Sequence, residues 1–221
     1  MAKIKILFLV ALTFFLFAAS YRPLAAQVFH DDFDGPGIDS TRWNLDPGGG
    51  SVIVSEGRAT LAAPCGTQFP YLTSKDNPFP LSGDFLIRVG FRYPDVQWGG
   101  NGFGYDYVQR GFGVWQDACC GPLRVAIGDN YPIYPPGLAS PDTSYHVYEW
   151  RCLSGTYYLY LDGNLIGSNE SQFRPTKIFF GHPPTSYCPW TTQEIDFVDI
   201  EAIGVTVVQQ STWGRLKSRY K

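Results

Sequence analysis

The sequence has almost no helix-period pattern of apolar residues, which argues against a helical fold. No two of its five cysteines have the C-x-x-C spacing of a zinc site. Apart from the N-terminus, no apolar stretch is long enough to span a membrane. What the sequence has instead is 24 glycines, 17 prolines and 16% aromatic residues, a composition typical of many strands joined by turns.

Residues 1–26 have the layout of a secretory signal peptide. A short basic stretch precedes an apolar run over residues 6–19, and small residues at Ala18–Ser20 or Leu24–Ala26 offer cleavage sites. The alternative is a retained membrane anchor, but the run of 14 residues is shorter than a bilayer-spanning helix requires. We therefore expect a secreted protein, extracellular or in the cell envelope, with no membrane span after cleavage.

The body of the chain is acidic once its two ends are set aside. The leader contains three of the 17 basic residues and no acidic one, which leaves 14 bases against 20 acids and a net charge of −6. Residues 209–221 contain four of those bases and no acid, so residues 27–208 carry −10. Such a body repels polyphosphate, and we expect no nucleic-acid partner.

The basic C-terminal tail, residues 209–221, has two interpretations. Ser211 is a candidate N-cap for a short helix that would place Trp213, Leu216 and Tyr220 on one face. The alternative is a frayed terminus. A basic helix on an acidic protein would suit docking to a surface or to a sorting partner.

Five cysteines remain after the predicted cleavage, and outside the cytoplasm they can form disulfides. They are Cys65, Cys119, Cys120, Cys152 and Cys188. Because the number is odd, at least one thiol stays free or pairs with another chain. Adjacent cysteines bridge each other only with strain, so at least one of the neighbouring pair is expected to pair elsewhere. The sequence leaves the connectivity open.

Alternation and tight turns predict one all-β domain over residues 27–208. The clearest strand runs from Asp84 to Tyr93, with apolar residues at every second position. Turn signals stand at Glu56-Gly57, Ser154-Gly155 and Asp162-Gly163. Around a dozen short strands joined in this way are typical of a two-sheet antiparallel β-sandwich or jelly roll.

Four stretches resemble motifs of the concanavalin A-like lectin/glucanase superfamily, which includes laminin-G-like domains and family 16 glycoside hydrolases. In chain order they are the opening strand Phe29–Asp34 with Trp43, the strand that begins at Ser82–Phe85, the hairpin Tyr145–Trp150 with Tyr158–Gly163, and the closing strand Ile195–Ile200. Their order and spacing extend the resemblance over nearly all of residues 27–208. It implies two antiparallel sheets, one of them concave.

Family 16 hydrolases carry an E-x-D-x-(x)-E pattern on one strand, so that two carboxylates flank a glycosidic bond. The run Glu194–Asp199 looks similar, but it follows the hairpin, where the family has its closing strand. We therefore expect Glu194 and Asp199 on a solvated or ion-paired strand face. The strand in the catalytic position, residues 103–110, contains one carboxylate, Asp106, and the next acid is Asp117. This favours a member of the superfamily that does not cleave glycan.

Sugar recognition on such folds uses flat aromatic faces with nearby polar side chains, and this combination is concentrated in residues 98–117. The predicted carbohydrate contacts are Trp98, Tyr105, Tyr107, Trp115 and Gln116, extended by the loop residues Tyr134, His182 and Trp190. Tyr105 and Tyr107 share a face if their strand is regular. The alternative is that these aromatic residues belong to the core.

The resemblance also implies one structural calcium ion that joins the opening strand to the closing one. Its predicted ligands are Asp196, the carbonyl of Gly57 and a carbonyl near Asp31, an all-oxygen set of the kind that Ca²⁺ prefers. The alternative is an Asp196 that bonds to backbone without metal.

The function expected from the sequence is therefore a secreted, lectin-like module that binds extracellular or cell-wall polysaccharide. One alternative is a glycoside hydrolase or polysaccharide lyase of the family 16-like class. The other is a structural protein of the cell surface or matrix.

Overall fold

The computed structural model describes residues 25–64, 67–95, 102–105, 110–116, 123–133, 143–181 and 191–204. Residues 27–202 form one compact unit, and residues 1–26 and 203–221 are grouped in a second. The described ranges contain no α-helix, and so none with the length and apolar character of a membrane span. The predicted all-β fold is confirmed. Most of the predicted leader, residues 1–24, and the whole tail lie outside the described residues.

Fifteen strands form in the described ranges. They are β1 (Ala25–Asp31), β2 (Trp43–Asp46), β3 (Ser51–Ser55), β4 (Arg58–Ala63), β5 (Tyr71–Ser74), β6 (Asp84–Arg92), β7 (Gly102–Gly104), β8 (Gly111–Gln116), β9 (Leu123–Gly128), β10 (Asn130–Ile133), β11 (His146–Leu153), β12 (Thr156–Leu161), β13 (Asn164–Glu170), β14 (Phe179–Gly181) and β15 (Thr191–Ile203).

The strands form two sheets, as the sequence predicts. The first sheet has eight strands in the order β13-β12-β11-β6-β15-β4-β3, and β1 pairs with β15 beside this path. The second sheet has seven strands in the order β10-β9-β8-β7-β14-β5-β2. Neighbouring strands run antiparallel wherever their register is resolved.

The core lies between the two sheets and is rich in aromatic residues. The predicted alternation in β6 is confirmed, because its inward side chains are at most 1% exposed: Phe85, Ile87, Val89 and Phe91. Trp150 of the first sheet is fully buried, and its indole N–H donates to the carbonyl of Ala126 in the second sheet at 3.0 Å. Each fully buried large apolar side chain contributes about 2 kcal/mol to folding.

Three predicted turns close hairpins with both central residues at positive φ. The φ angles are 53° and 68° at Glu56-Gly57, 50° and 82° at Ser154-Gly155, and 49° and 79° at Asp162-Gly163. Turns with two positive φ angles match the right-handed twist of the strands that they join. They fix the register of β3 with β4, of β11 with β12 and of β12 with β13.

The second sheet differs from the sequence-based interpretation in two places. The strand expected over residues 103–110 is shorter, because β7 ends at Gly104 and β8 begins at Gly111. The edge strand β2 and its neighbour β5 were not recognised as a pair, although Asn44 lies opposite Thr73 and Asp46 lies opposite Tyr71.

Candidate functional site

Most of the predicted carbohydrate contacts lie outside the described residues. These are Trp98, Tyr107, Tyr134, His182 and Trp190, together with the side chain of Gln116. The same holds for the two candidate catalytic carboxylates, Asp106 and Asp117. Tyr105 and Trp115 are described, and the structure places them in different surroundings.

Tyr105 belongs to the margin of the core. It follows the last residue of β7, and its ring lies 4.5 Å from that of Phe173, edge to face. The ring also packs against the core between the sheets. Because β7 ends at Gly104, the period-two argument that placed Tyr105 and Tyr107 on one face does not apply.

The outer face of the second sheet, on the side away from the core, is defined by two rows of residues paired across its strands. From β9 to β2 one row is Arg124, Trp115, Gly102, Gly181, Tyr71 and Asp46. The other row is Ala126, Gly113, Gly104, Phe179, Thr73 and Asn44. Paired residues point to the same side, and the residues between them, such as Phe103 and Val114, are in the core. These rows give the face a centre of small residues.

Three aromatic side chains cross this face, and we call Trp115, Phe179 and Tyr71 the aromatic strip. The Trp115 ring lies over bare backbone, since a Cβ atom at Gly104 would be 2.7 Å from its Cζ2 atom. Phe179 is 6.4 Å from the Trp115 ring and 5.4 Å from the Tyr71 ring. The glycines thus provide the space in which the indole lies against the sheet.

Exposure changes along the aromatic strip. Trp115 is 5% exposed and Phe179 is 1% exposed, although both lie away from the core between the sheets. Tyr71 is half-buried and stands near the edge strand β2. The open part of the strip is therefore its Tyr71 end, and the predicted contact of Trp115 with glycan stays a prediction.

Polar side chains surround the exposed end of the strip. We call Asn44, Asp46, Tyr71 and Thr73 the edge patch. Asp46 accepts hydrogen bonds from the backbone N–H of Gly48 at 3.0 Å and from Nε2 of Gln68 at 3.3 Å. Sequence reasoning missed this patch, although Asn44 and Asp46 alternate with the apolar residues Trp43 and Leu45 in the sequence.

The enzyme-like run of the sequence lies on the other sheet. Glu194 and Asp199 are both in β15 of the first sheet, as expected for the closing strand. Glu194 accepts hydrogen bonds from Arg92 at 2.7 Å and from the Tyr145 hydroxyl at 2.6 Å, and Asp199 lies 2.5 Å from Nδ1 of His30. Burial and the bond to Glu194 raise the pKa of the Tyr145 phenol well above its usual range. The prediction of an ion-paired strand face is confirmed.

The residues around the predicted calcium site make contacts of different kinds in the structure. The buried carboxylate of Asp31 is committed to protein donors, because it accepts from the N–H of Phe33 at 2.9 Å and from Nε1 of Trp43 at 2.6 Å. Oδ1 of Asp196 lies 3.7 Å from Nε of Arg58. Among the described side chains there is no cluster of three or more His, Cys, Asp or Glu arranged for a metal.

Oxygen atoms nevertheless surround Gly57. A Cβ atom on this glycine would lie 2.9 Å from Oδ1 of Asp34 and 3.7 Å from the carbonyl oxygen of Asp32. Continuing the β4–β15 register from the Ala59–Ile195 pair places Asp196 opposite Arg58, one residue from Gly57. The donor set fits calcium in kind, with the Asp32 carbonyl as the carbonyl near Asp31.

Cys152 is the cysteine that the structure describes, and it is a free thiol. It lies in β11 opposite Tyr157 and is 5% exposed. Burial raises its pKa above the ordinary value for a thiol. Of the two outcomes expected for an odd cysteine, a free thiol or a bond to another chain, Cys152 shows the first, and its burial makes it unreactive in the folded state.

Solved structures with the same fold include several glucanases. The endo-β-1,3-glucanase from Pyrococcus furiosus matches with a TM-score of 0.59 at 10% identity, over 82% of this chain and 95% of that one. A protein of the human gut microbiota, whose prominent members express endo-acting O-glycanases to initiate mucin breakdown, matches with a TM-score of 0.56 at 18% identity, over 80% and 100%. A β-1,3-1,4-glucanase (lichenase) from a mouse hindgut metagenome matches with a TM-score of 0.55 at 14% identity, over 79% of this chain and 99% of that one.

No protein-family model and no curated protein matches the sequence. The likeness to these structures is therefore one of fold. It extends over about four fifths of the chain, through both sheets. It confirms the architecture that the four sequence motifs imply.

Proposed function

Because the chain has the concanavalin A-like jelly-roll fold, we propose that it is a secreted protein that binds a polysaccharide on the outer face of its second sheet. The Tyr71 end of the aromatic strip carries the proposal, since this ring lies away from the core between the sheets and stands among polar side chains at the sheet edge. Rings flanked by hydrogen-bonding groups suit the flat apolar faces and the hydroxyls of sugars. The glucanases of the same fold act on polymers of this class.

Affinity electrophoresis of the mature chain tests this proposal. The panel contains a β-1,3-glucan, a β-1,3-1,4-glucan and mucin, and we expect at least one of them to retard the protein. Tyr71→Ala should weaken the retardation, because it removes the exposed ring of the strip. Tyr158→Ala, on the outer face of the first sheet, is the matched control and should leave it unchanged. Thiol-dependent oligomers without binding to any glycan would favour the structural alternative.

The second candidate function is hydrolysis, and the comparisons favour it over simple binding, because the matched structures include endo-acting glucanases. A retaining mechanism needs two carboxyl groups about 5 Å apart. The two rows of the outer face hold one carboxylate, Asp46, and the outward positions in the middle of β8 are Gly113 and Trp115. A hydrolase would therefore depend on Asp106 and Asp117, the acids that flank β8 in the sequence.

New reducing ends distinguish the two functions. If the protein cleaves glycan, Asp106→Asn or Asp117→Asn should abolish the release of reducing ends and keep retardation in the gel. Glu194→Gln, on the first sheet, is the control and should cleave normally, since its carboxylate is bonded to Arg92 and Tyr145. Binding without release of reducing ends from any member of the panel would establish the non-cleaving function.

We also propose one structural calcium ion at the junction of β4, β15 and the chain after β1. Asp196, the Gly57 carbonyl and the Asp32 carbonyl would hold it, with Asp34 beside them. Such an ion would join the opening and closing segments of the fold. Calcium at 100 times its dissociation constant would add about 2.7 kcal/mol to the free energy of unfolding. The melting temperature in calcium and in EDTA measures this, and Asp196→Asn should remove the difference.

A further inference from the structure

We propose that the edge patch selects neutral, hydroxyl-rich glycan over acidic glycan. This inference deepens the proposed polysaccharide binding and rests on it. The patch consists of Asn44 and Asp46 on β2 and of Thr73 and Tyr71 on β5, paired side by side on the outer face. The proposal thus places ligand recognition on β2 and β5, the strand pair at the edge of the second sheet.

In the two rows that define this face, the most exposed side chains lie at the β2–β5 edge. Trp115 and Phe179, in the middle of the sheet, are 5% and 1% exposed, so Tyr71 is the most open ring of the strip. Asn44 and Asp46 are exposed, and Tyr71 and Thr73 are half-buried. The half-buried ring of Tyr71 and its polar neighbours therefore lie together on β2 and β5.

Asn44 and Thr73 supply hydrogen-bonding groups on one side of the patch. In the part of the chain that the structure describes, the Asn44 amide makes no hydrogen bond, so both its donors and its acceptor are available. It stands directly opposite Thr73. An amide beside a hydroxyl can donate to and accept from the vicinal hydroxyls of a sugar.

Asp46 sets the charge preference. Its two oxygen atoms accept from neutral N–H donors, the backbone of Gly48 and the amide of Gln68. No Lys, Arg or His of the described ranges lies within ion-pair distance of this exposed carboxylate. Its negative charge is therefore not neutralised locally. A sugar hydroxyl can donate to it, whereas a uronate or sulfate group is repelled.

The glycine loop after β2 holds this carboxylate in place. The N–H of Gly49 donates to the carbonyl of Gln68 at 2.9 Å. A Cβ atom at Gly48 would lie 2.7 Å from the same carbonyl oxygen, and φ of this residue is +55°. Only glycine fits such a close approach without strain. The loop thus seats Gln68 beside Asp46 before any ligand arrives.

Binding of one polymer in two charge states tests the proposal. The probes are a neutral β-1,3-glucan and the same glucan after carboxymethylation, titrated calorimetrically into the mature chain at low salt. We expect the wild type to bind the neutral polymer at least fivefold more tightly, the ratio that one charge repulsion at about 4 Å in water produces. Asp46→Asn should remove most of this ratio, and Asp76→Asn, an exposed acid just after β5, is the control that should keep it.

Each outcome decides one question. Equal binding of the two polymers by the wild type, or an unchanged ratio in Asp46→Asn, overturns the assignment to the edge patch and leaves glycan binding intact. Binding of neither polymer, nor of any glycan in the panel, overturns both proposals. Tyr71→Ala should weaken the binding of both polymers about tenfold, because the ring is lost. Tyr71→Phe keeps the ring and should bind both polymers as the wild type does. The pair of variants separates ring stacking from the charge effect.

Discussion

The outer faces of the two sheets are built from different residues. On the first sheet, charged side chains are joined across strands, with Glu194 2.6 Å from Arg92 and Asp199 2.5 Å from His30. On the second sheet, the two rows of paired residues contain glycines and aromatic rings, with one cation at β9 and one carboxylate at β2. Both faces cover the same core. The residues of each outer face can therefore differ without changing the core.

The difference also separates charges that serve the fold from groups that are available to a ligand. On the first face, Glu194 is bonded to Arg92 and Tyr145, and Asp199 is bonded to His30. Asp46 of the second face is bonded only by neutral N–H groups. An acidic motif in the sequence is thus a poor guide to a site when its partners lie on adjacent strands.

The largest expected effect is a loss of stability when a glycine under an aromatic ring is replaced, and it should differ between the two faces. Gly104→Ala should cost about 3 kcal/mol, because the new Cβ atom would meet the Trp115 ring at 2.7 Å and the Phe112 carbonyl at 2.8 Å. In Gly90→Ala on the first sheet, the new Cβ atom would lie 2.7 Å from the Phe197 ring but would not clash with a carbonyl oxygen. This substitution should cost about 1 kcal/mol of the free energy of unfolding. Urea unfolding measures both.

A double variant sharpens this prediction. Trp115→Ala removes the ring that opposes the new Cβ atom, so the cost of Gly104→Ala should be smaller in the Trp115→Ala background. If the two glycine variants cost the same, or if the two substitutions are additive, the indole is not packed against the sheet as described.

The next effect concerns ion pairing on the first face. Glu194→Gln keeps the shape of the side chain and removes the charge that bonds to Arg92 and Tyr145, which should cost about 1.5 kcal/mol. Asp46→Asn on the second face should change the free energy of unfolding by less than about 0.5 kcal/mol. Chemical denaturation of the two variants compares them directly, and equal losses would remove the distinction between the faces.

The smallest effect is a pH dependence confined to the first face. The hydrogen bond with Asp199 raises the pKa of His30 above its ordinary 6.5. Protonated His30 therefore contributes stability that is complete below pH 6.5 and is lost as the pH rises through the higher folded value. Melting temperatures from pH 5.5 to 8.5, without added calcium, should show a decline that His30→Gln reduces.

His146→Gln is the matched control for that measurement. His146 also bonds to an aspartate, Asp162 at 2.7 Å, but at a turn of the hairpin rather than between the opening and closing strands. The control should retain the His30-dependent decline. A decline that persists unchanged in His30→Gln would assign the pH dependence to other groups.

The sequence predicted those parts of the fold that have local signals. Alternation in β6 and the turns Glu56-Gly57, Ser154-Gly155 and Asp162-Gly163 depend on neighbours in the chain, and the structure confirms them. The order of the motifs predicts the closing strand after the hairpin, and the structure has Glu194 in that strand, β15.

The candidate face could not be predicted in the same way. Gly113 and Gly104 have no side chain that marks inside and outside, so alternation does not show on which face Trp115 lies. The edge patch joins residues 44–46 to residues 71–73, and only the register of β2 with β5 brings them together. The end of β7 at Gly104 and the start of β8 at Gly111 have no clear turn signal in the sequence.

The buried thiol of Cys152 gives a way to time the opening of the sandwich. With the other four cysteines replaced by serine, an alkylating reagent can reach this sulfur only when β11 separates from its neighbours, because the residue is 5% exposed. At high reagent concentration the labelling rate equals the opening rate of the native state. Where unfolding is irreversible, that rate sets the working lifetime of a protein more directly than its equilibrium stability.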